Sequence, residues 1–230
     1  MILLRIGFLA AALTAVALPA AAQVPPSPAE VAAYTGLHAA AHRGDVAALT
    51  RLVTLSRTGL ETLDGQGRTP LHVAAFARQR DAVTALLKLG AASGALENDR
   101  YDAVTIASVA DDEQTLRALL AGGASAKLIT SRYDGTALIA AAHLGHDGVV
   151  RQLIAAGAPL DHVNTLHWTA MIEAIVLGDG RERHQRSLQA LLDAGANTQL
   201  TDRERRTPLQ LAQARGYETM VQALKAAGAR

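Results

Sequence analysis

The residues of this 230-residue chain best suited to bind a metal or to carry protons are its eight histidines. His143 and His146 are three positions apart, a spacing that can direct two imidazoles at one zinc ion. Gly145 lies between them and predicts the end of a helix, and nothing at this spacing supplies further ligands. We therefore predict no metal site.

Recognisable catalytic motifs do not occur in the sequence. It has no Cys, which excludes a disulfide framework, a lipidated Cys and a thiolate zinc site. It also has no G-x-S-x-G turn, phosphate-binding loop or H-E-x-x-H pattern. We predict no catalytic residue and no cofactor, and we do not expect an enzyme.

The charge balance argues against nucleic acid as a partner. The chain carries 22 Lys and Arg against 21 Asp and Glu, and its densest basic stretches, Arg181 to Arg186 and Arg203 to Arg206, both contain Glu. Binding to phosphates requires clustered cations. Aromatic residues make up only 3% of the chain, and its abundant Ala and Leu favour helices over an aromatic-rich sheet.

The first 22 residues have the pattern of a secretory signal peptide. Arg5 provides a positive start, Ile6 to Leu18 an apolar core, and Ala20 to Ala22 a small-residue cleavage site. We expect cleavage after Ala22, a Pro-rich linker at residues 23–29, and a periplasmic or secreted protein. An uncleaved anchor is the alternative, although the apolar run is short and no cationic stop-transfer cluster follows it.

A repeated unit organises the rest of the chain, and its elements must position any functional residue. The segment Thr69-Pro70-Leu71-His72-Val73-Ala74-Ala75 has related copies whose first residue we call the cap. The caps are Thr35, Thr69, Asp102, Thr136, Thr169 and Thr207. Successive caps are 34, 33, 34, 33 and 38 residues apart, which defines six units.

Each part of the unit has a physical role. The cap oxygen can accept a hydrogen bond at the start of a first helix, where Pro is also tolerated. A glycine nine residues after the cap ends that helix and opens a tight turn. Leu pairs such as Leu86-Leu87 on a second helix then fill the core between repeats, and a Gly-Ala pair ends that helix. The sequence therefore predicts six helix-turn-helix repeats.

On these residues the sequence resembles the ankyrin-repeat family. The resemblance implies an all-α solenoid with short projecting β-turn loops and with first helices that line a concave face. It implies that His38 and His72 hydrogen-bond the backbone of neighbouring loops. It covers residues 30–230, with repeats at about 30–63, 64–97, 98–131, 132–164, 165–202 and 203–230.

Three departures from the repeat pattern are informative. Arg78 and Asp111 stand where other units have the turn glycine. The fifth unit has an insertion of about five residues within Asp179 to Arg186, which accounts for the spacing of 38. We interpret it as a tolerated surface loop or a second contact site. The sixth unit has the polar residues expected of a terminal repeat.

The scarce aromatic residues fall at particular positions of the repeat. Trp168 and Tyr101 precede their caps directly, as do Arg68 and Arg206, while Phe76 and His143 lie seven residues after theirs. Together with Tyr133 in a loop, they map to the concave face that the resemblance implies. Aromatic and Arg side chains dominate binding energy at interfaces. We predict a partner-binding surface made of Arg68, Phe76, Tyr101, Tyr133, His143, Trp168 and Arg206.

The leading functional hypothesis is a monomeric module that binds a protein partner in the periplasm or outside the cell. The resemblance to periplasmic ankyrin-repeat proteins of bacteria implies protein–protein contact, in some relatives linked to oxidative-stress defence or to toxin neutralisation. An immunity or inhibitor protein is therefore the alternative. A small-ligand binder or an enzyme would need a deep polar pocket, which a solenoid groove rarely offers.

Overall fold

The computed structural model describes residues 23–56 and 59–230 of the chain. The predicted signal peptide, residues 1–22, lies outside these residues. Each repeat contributes a first and a second helix to two parallel layers, so the prediction of an all-α helix-turn-helix solenoid is confirmed. None of the described helices combines the length and apolar character that a membrane crossing requires.

Short first helices form one layer, and each contacts the next along the chain. They are α2 (Gly36–Arg43), α4 (Pro70–Phe76), α6 (Ala103–Val109), α8 (Ala137–His143), α10 (Ala170–Val176) and α12 (Pro208–Ala214). Second helices form the other layer in the same order. They are α3 (Val46–Leu55), α5 (Arg80–Leu89), α7 (Glu113–Ala121), α9 (Asp147–Ala155), α11 (Glu182–Asp193) and α13 (Glu218–Ala226).

Side-chain caps fix where most first helices begin. Thr69, Asp102, Thr136, Thr169 and Thr207 each accept a hydrogen bond from the backbone N–H three residues later, as their types predict. Thr35 does not, although it has the same position in the first repeat. The prediction of a capping hydroxyl is therefore wrong for that repeat, whose first helix begins with Gly36.

The core lies between the two helical layers. The first Leu of each pair is fully buried, as Leu86 and Leu119 show with 0% exposure, whereas the second Leu is only half-buried. Alanines of the first helices, such as Ala74 and Ala107, are also buried and allow adjacent repeats to approach closely. The polar side chains predicted to cover the last repeat are exposed.

The connections between helices use left-handed backbone at fixed positions. Arg78 and Asp111 replace the turn glycine and adopt its positive φ, with values of 55° and 53°. A second left-handed position lies two residues before the cap, where the chain has Gly67, Arg100, Asp134, His167 and Arg205. In the described residues, strand structure is limited to β1 (Ile129–Thr130), which pairs antiparallel with β2 (Gly135–Thr136).

The segment predicted as a linker is partly helical, and its backbone is bonded to the second repeat. Helix α1 (Pro28–Ala33) begins within the predicted linker, because Ser27 and Glu30 form a reciprocal capping box. The carbonyl oxygen of Val24 accepts a hydrogen bond of 3.2 Å from the Arg68 side chain in the second repeat. The N-terminal segment is thus tied to the solenoid.

The insertion in the fifth repeat lengthens a helix. Helix α11 begins at Glu182 and has 12 residues, whereas the other second helices have 9 or 10. His184 Nε2 donates to the His143 carbonyl at 2.9 Å, much as His146 Nδ1 donates to the Ser108 carbonyl one repeat earlier. The five extra residues therefore precede His184: residues 179–181 form a largely exposed turn, as a surface loop would, and the rest lengthen the helix.

Candidate functional site

Each loop that carries a predicted binding residue accepts its hydrogen bonds at one side chain, that of the residue five positions before the cap. These side chains belong to Asp64, Glu97, Ser131, Asn164 and Asp202. Asn164 Oδ1, for example, accepts from the backbone N–H groups of Leu166 and Trp168, both at 3.0 Å. Sequence reasoning missed this set, although its constant spacing from the cap was visible.

Neighbouring loops are also joined to one another. The backbone N–H of Asn98 donates to Gln66, that of Ser131 to Arg100, and that of Thr165 to Tyr133, at 2.9 to 3.1 Å. These bonds cross from one repeat to the next. The loops of repeats two to five therefore form a continuous, hydrogen-bonded ledge above the first helices.

Arg68 contradicts its predicted role as a partner-binding residue. Its Nε donates to Asp64 Oδ2 at 2.7 Å, its other nitrogens reach Glu30 and Val24, and only 1% of its surface is exposed. A side chain enclosed in this way offers no surface to a partner. Arg206 makes the equivalent bond to Asp202 at 2.8 Å, yet half of its side chain stays exposed.

The predicted aromatic residues lie along the ledge with different exposure. Tyr133 is 42% exposed, whereas Tyr101 and Trp168 are half-buried and pack against the core. Burial raises the pKa of Tyr101 above its ordinary value. These rings therefore present faces or edges that are held in place by the loops beneath them.

Below the ledge runs a band that we call the inner strip, formed by the residues seven and eight positions after the cap in repeats two to five. It consists of Phe76, Ala77, Val109, Ala110, His143, Leu144, Val176 and Leu177. Leu144 and Leu177 are 38% and 37% exposed. Phe76 and His143 of this strip were predicted from the sequence, but both leucines were missed. The pattern that could have identified them is an apolar residue just after the end of a first helix.

A buried carboxylate connects the inner strip with the ledge. Glu173 is 5% exposed, and its Oε1 accepts from Asn164 Nδ2 at 2.8 Å. Its Oε2 lies 3.4 Å from His143 Nδ1. Because Asn164 also holds the Trp168 loop, Glu173 fixes the relative position of Trp168 and His143. This residue was not singled out from the sequence.

The histidines mostly join repeats through backbone carbonyls. His38 donates to Arg68, His72 to Ala95, and His162 to Asp134, at 2.6 to 2.9 Å. The structural role predicted for His38 and His72 is confirmed. His72 is 1% exposed, and burial lowers its pKa to about 4, so its imidazole is neutral. Within the described residues, no three His, Asp or Glu side chains are grouped as metal ligands.

Comparison with known proteins places these features in a family. A family model described as ankyrin repeats (3 copies) matches residues 26–98 and 103–202. The ankyrin repeat protein YahD of Escherichia coli (strain K12) is 35% identical over 191 residues, which cover 83% of this chain and 94% of YahD.

Solved structures have the same architecture. An ankyrin repeat domain from Acinetobacter baumannii AYE is 41% identical with a TM-score of 0.78, and the match covers 84% of this chain and 98% of that one. A chain from the complex of the predatory endopeptidase Bd0816 of Bdellovibrio bacteriovorus with the immunity protein Bd3460 is 24% identical. Its TM-score is 0.68 with 84% and 98% coverage, and this likeness concerns the fold alone.

Proposed function

The chain belongs to the ankyrin-repeat family, whose repeats are protein–protein interaction modules, and we propose that it binds a protein partner along the inner strip and the ledge above it. The observation that carries this proposal is the exposure of Leu144 and Leu177 at the same repeat position in adjacent units. Single exposed leucines are common on protein surfaces. A run of apolar side chains in register over four repeats indicates a surface that another molecule covers.

The geometry favours tight recognition over adaptable contact. The ledge loops are bound to their own acceptor side chains and to each other, so a partner would find Trp168 and Tyr133 already ordered. Ordering loops on binding costs free energy, and a preformed surface avoids that cost. Covering the exposed parts of Leu144 and Leu177 contributes about 1 to 2 kcal/mol each.

The experiment is capture of the partner with the purified chain, followed by a test of the surface. We expect Leu144→Asp and Leu177→Asp to abolish capture, because a partner would have to bury an unpaired carboxylate. Leu55→Asp is the matched control, since Leu55 is 78% exposed at the end of a second helix. Capture that survives at both strip positions, or that is lost equally with Leu55→Asp, would refute the assignment.

The same captured protein separates a scaffold from an inhibitor. If it is an enzyme or toxin, its activity is measured with and without one equivalent of this chain. Loss of activity in a one-to-one complex would identify an inhibitor. Retained activity would identify a scaffold.

We also infer that the chain is exported and acts in the periplasm or outside the cell. The support is the sequence of residues 1–22, with its positive start, apolar core and alanine-rich end. Sequencing the N-terminus of the protein isolated from its source gives Gln23 if the leader is removed. A protein that begins at Met1 in the cytoplasmic fraction would overturn this inference.

A further inference from the structure

The insertion brings an arginine of the fifth repeat to acidic residues of two earlier repeats. Arg183 Nη2 donates to Asp111 Oδ2 at 2.7 Å, and Arg183 Nε lies 3.5 Å from Asp147 Oδ1. Asp111 belongs to the third repeat and Asp147 to the fourth. Arg186 reinforces the second contact, with Nε donating to Asp147 Oδ2 at 2.9 Å. We call Asp111, Asp147, Arg183 and Arg186 the arginine clamp.

This connection differs from the usual contacts of a solenoid. Each repeat of such a fold touches its immediate neighbours, so its stability is a sum of repeat and nearest-neighbour contributions. Arg183 and Asp111 are 72 residues apart in sequence and two repeats apart in space. The longer helix α11 also contacts α8, the first helix of the preceding repeat. The insertion thus adds an ion pair, Arg183–Asp111, that skips one repeat.

The centre of the clamp is shielded from water. The Asp147 side chain is 9% exposed and also receives a hydrogen bond of 2.8 Å from Arg151. Charges in such a position attract each other more strongly, and salt screens them less, than charges in bulk water. Arg183 and Asp111 are themselves 49% and 34% exposed, so their pair alone adds little stability. Its effect depends on Arg183 also lying in the network around the shielded Asp147.

Asp111 lies at a turn position that glycine occupies in other repeats. It adopts a φ of 53° at the turn position that Gly44, Gly145 and Gly216 occupy in other repeats. Glycine adopts left-handed backbone without the steric cost that a side chain brings. Asp tolerates this geometry better than most residues, and here its carboxylate is the group that receives Arg183.

We propose that the arginine clamp couples repeats three, four and five into one unit that opens cooperatively, and that Arg183 is the positioning residue of this unit. The consequence is a fixed angle between the repeats that carry Tyr101, Leu144 and Trp168. The insertion is therefore an internal brace and not a second contact site. The proposal goes beyond partner binding and does not depend on it.

The test is hydrogen exchange followed by mass spectrometry on the full chain. Arg183→Gln should speed exchange about fivefold in α7 of repeat three as well as in α9 of repeat four. Arg181→Gln is the matched control, because Arg181 is 86% exposed and lies 3.6 Å from Asp179 of its own turn. We expect this control to leave both helices unchanged.

Two further measurements make the result decisive. Asp111→Asn should speed exchange in repeat five, and the double variant should show less than the summed effects of the two single changes. Because the side chains of Arg183 and Asp111 are 49% and 34% exposed, raising the salt concentration should shrink the difference between Arg183→Gln and the unaltered chain. An effect of Arg183→Gln confined to repeats four and five, or additive single changes, would overturn the proposal.

Discussion

Arg68 and Arg206 occupy the same position of the repeat and bind the same kind of partner, but they differ in burial. The Arg68 side chain is 1% exposed and bonds Asp64, Glu30 and the Val24 carbonyl. The Arg206 side chain is 50% exposed and bonds Asp202. Replacing each arginine with Ala therefore measures how far burial changes the contribution of an ion pair to the free energy of unfolding.

The magnitudes follow from what each change leaves behind. Removal of one partner from a buried ion pair costs about 3 to 5 kcal/mol. Asp64 retains bonds from Tyr34 Oη and two backbone N–H groups, so we expect the lower end, about 3 kcal/mol. Water can replace the half-exposed Arg206 guanidinium, so we expect about 1 kcal/mol there.

Urea unfolding followed by circular dichroism measures both variants against the unaltered chain. With a slope of about 2 kcal/mol per molar urea, Arg68→Ala should lower the midpoint by about 1.5 M and Arg206→Ala by about 0.5 M. Arg68→Ala should also make residues 23–34 more sensitive to proteolysis, since the bonds from Arg68 to Val24 and Glu30 are lost. Equal midpoint shifts in the two variants would refute the reasoning from burial.

Five other single substitutions test the described contacts by urea unfolding. Burial raises the pKa of Asp147, but hydrogen bonds from two arginine side chains lower it more, to about 2. Since the unfolded value is about 3.9, Asp147→Asn should cost about 2 kcal/mol above pH 4, and this cost should vanish as the pH falls towards 2. Burial lowers the pKa of His72 to about 4. As the pH falls from about 6.5 to about 4, the unfolded chain takes up a proton that folded His72 does not, so the free energy of unfolding should fall by about 3 kcal/mol. His72→Gln should remove most of this pH dependence. His167→Gly should raise stability by about 0.5 to 1 kcal/mol, because His167 has a φ of 63°, and a decrease would contradict backbone strain. Thr207→Ala should cost about 1 kcal/mol and Thr35→Ala only a few tenths, because Thr35 makes no capping bond, and equal losses would contradict the cap assignment.

The repeat fold could be predicted because its determinants act over short distances. A cap such as Thr69 bonds a residue three positions later, and Gly90 ends its helix with a φ of 98° whatever lies elsewhere. The Leu pairs are separated from their caps by a constant number of residues within most units. Such local rules repeat at a fixed period, so one copy confirms another.

The predictions that were wrong concern residues whose environment is set by segments distant in sequence. Arg68 is covered by Val24, which lies 44 residues away, and its position in the repeat gives no sign of that cover. Arg183 bonds Asp111, which lies 72 residues away in sequence, and neither the inserted Gly180 nor the charges around it predict the helix that carries Arg183. The loop acceptors had a signal, but their types differ from unit to unit.

The arginine clamp also bears on how the molecule would respond to a pulling force. A solenoid stretched from its two ends sheds terminal units in turn, because each unit holds only to its neighbour. Here the third unit is bonded to the fifth through Arg183 and Asp111. We therefore expect units three to five to resist shear together. The first, second and sixth units would then unfold at a lower force than units three to five.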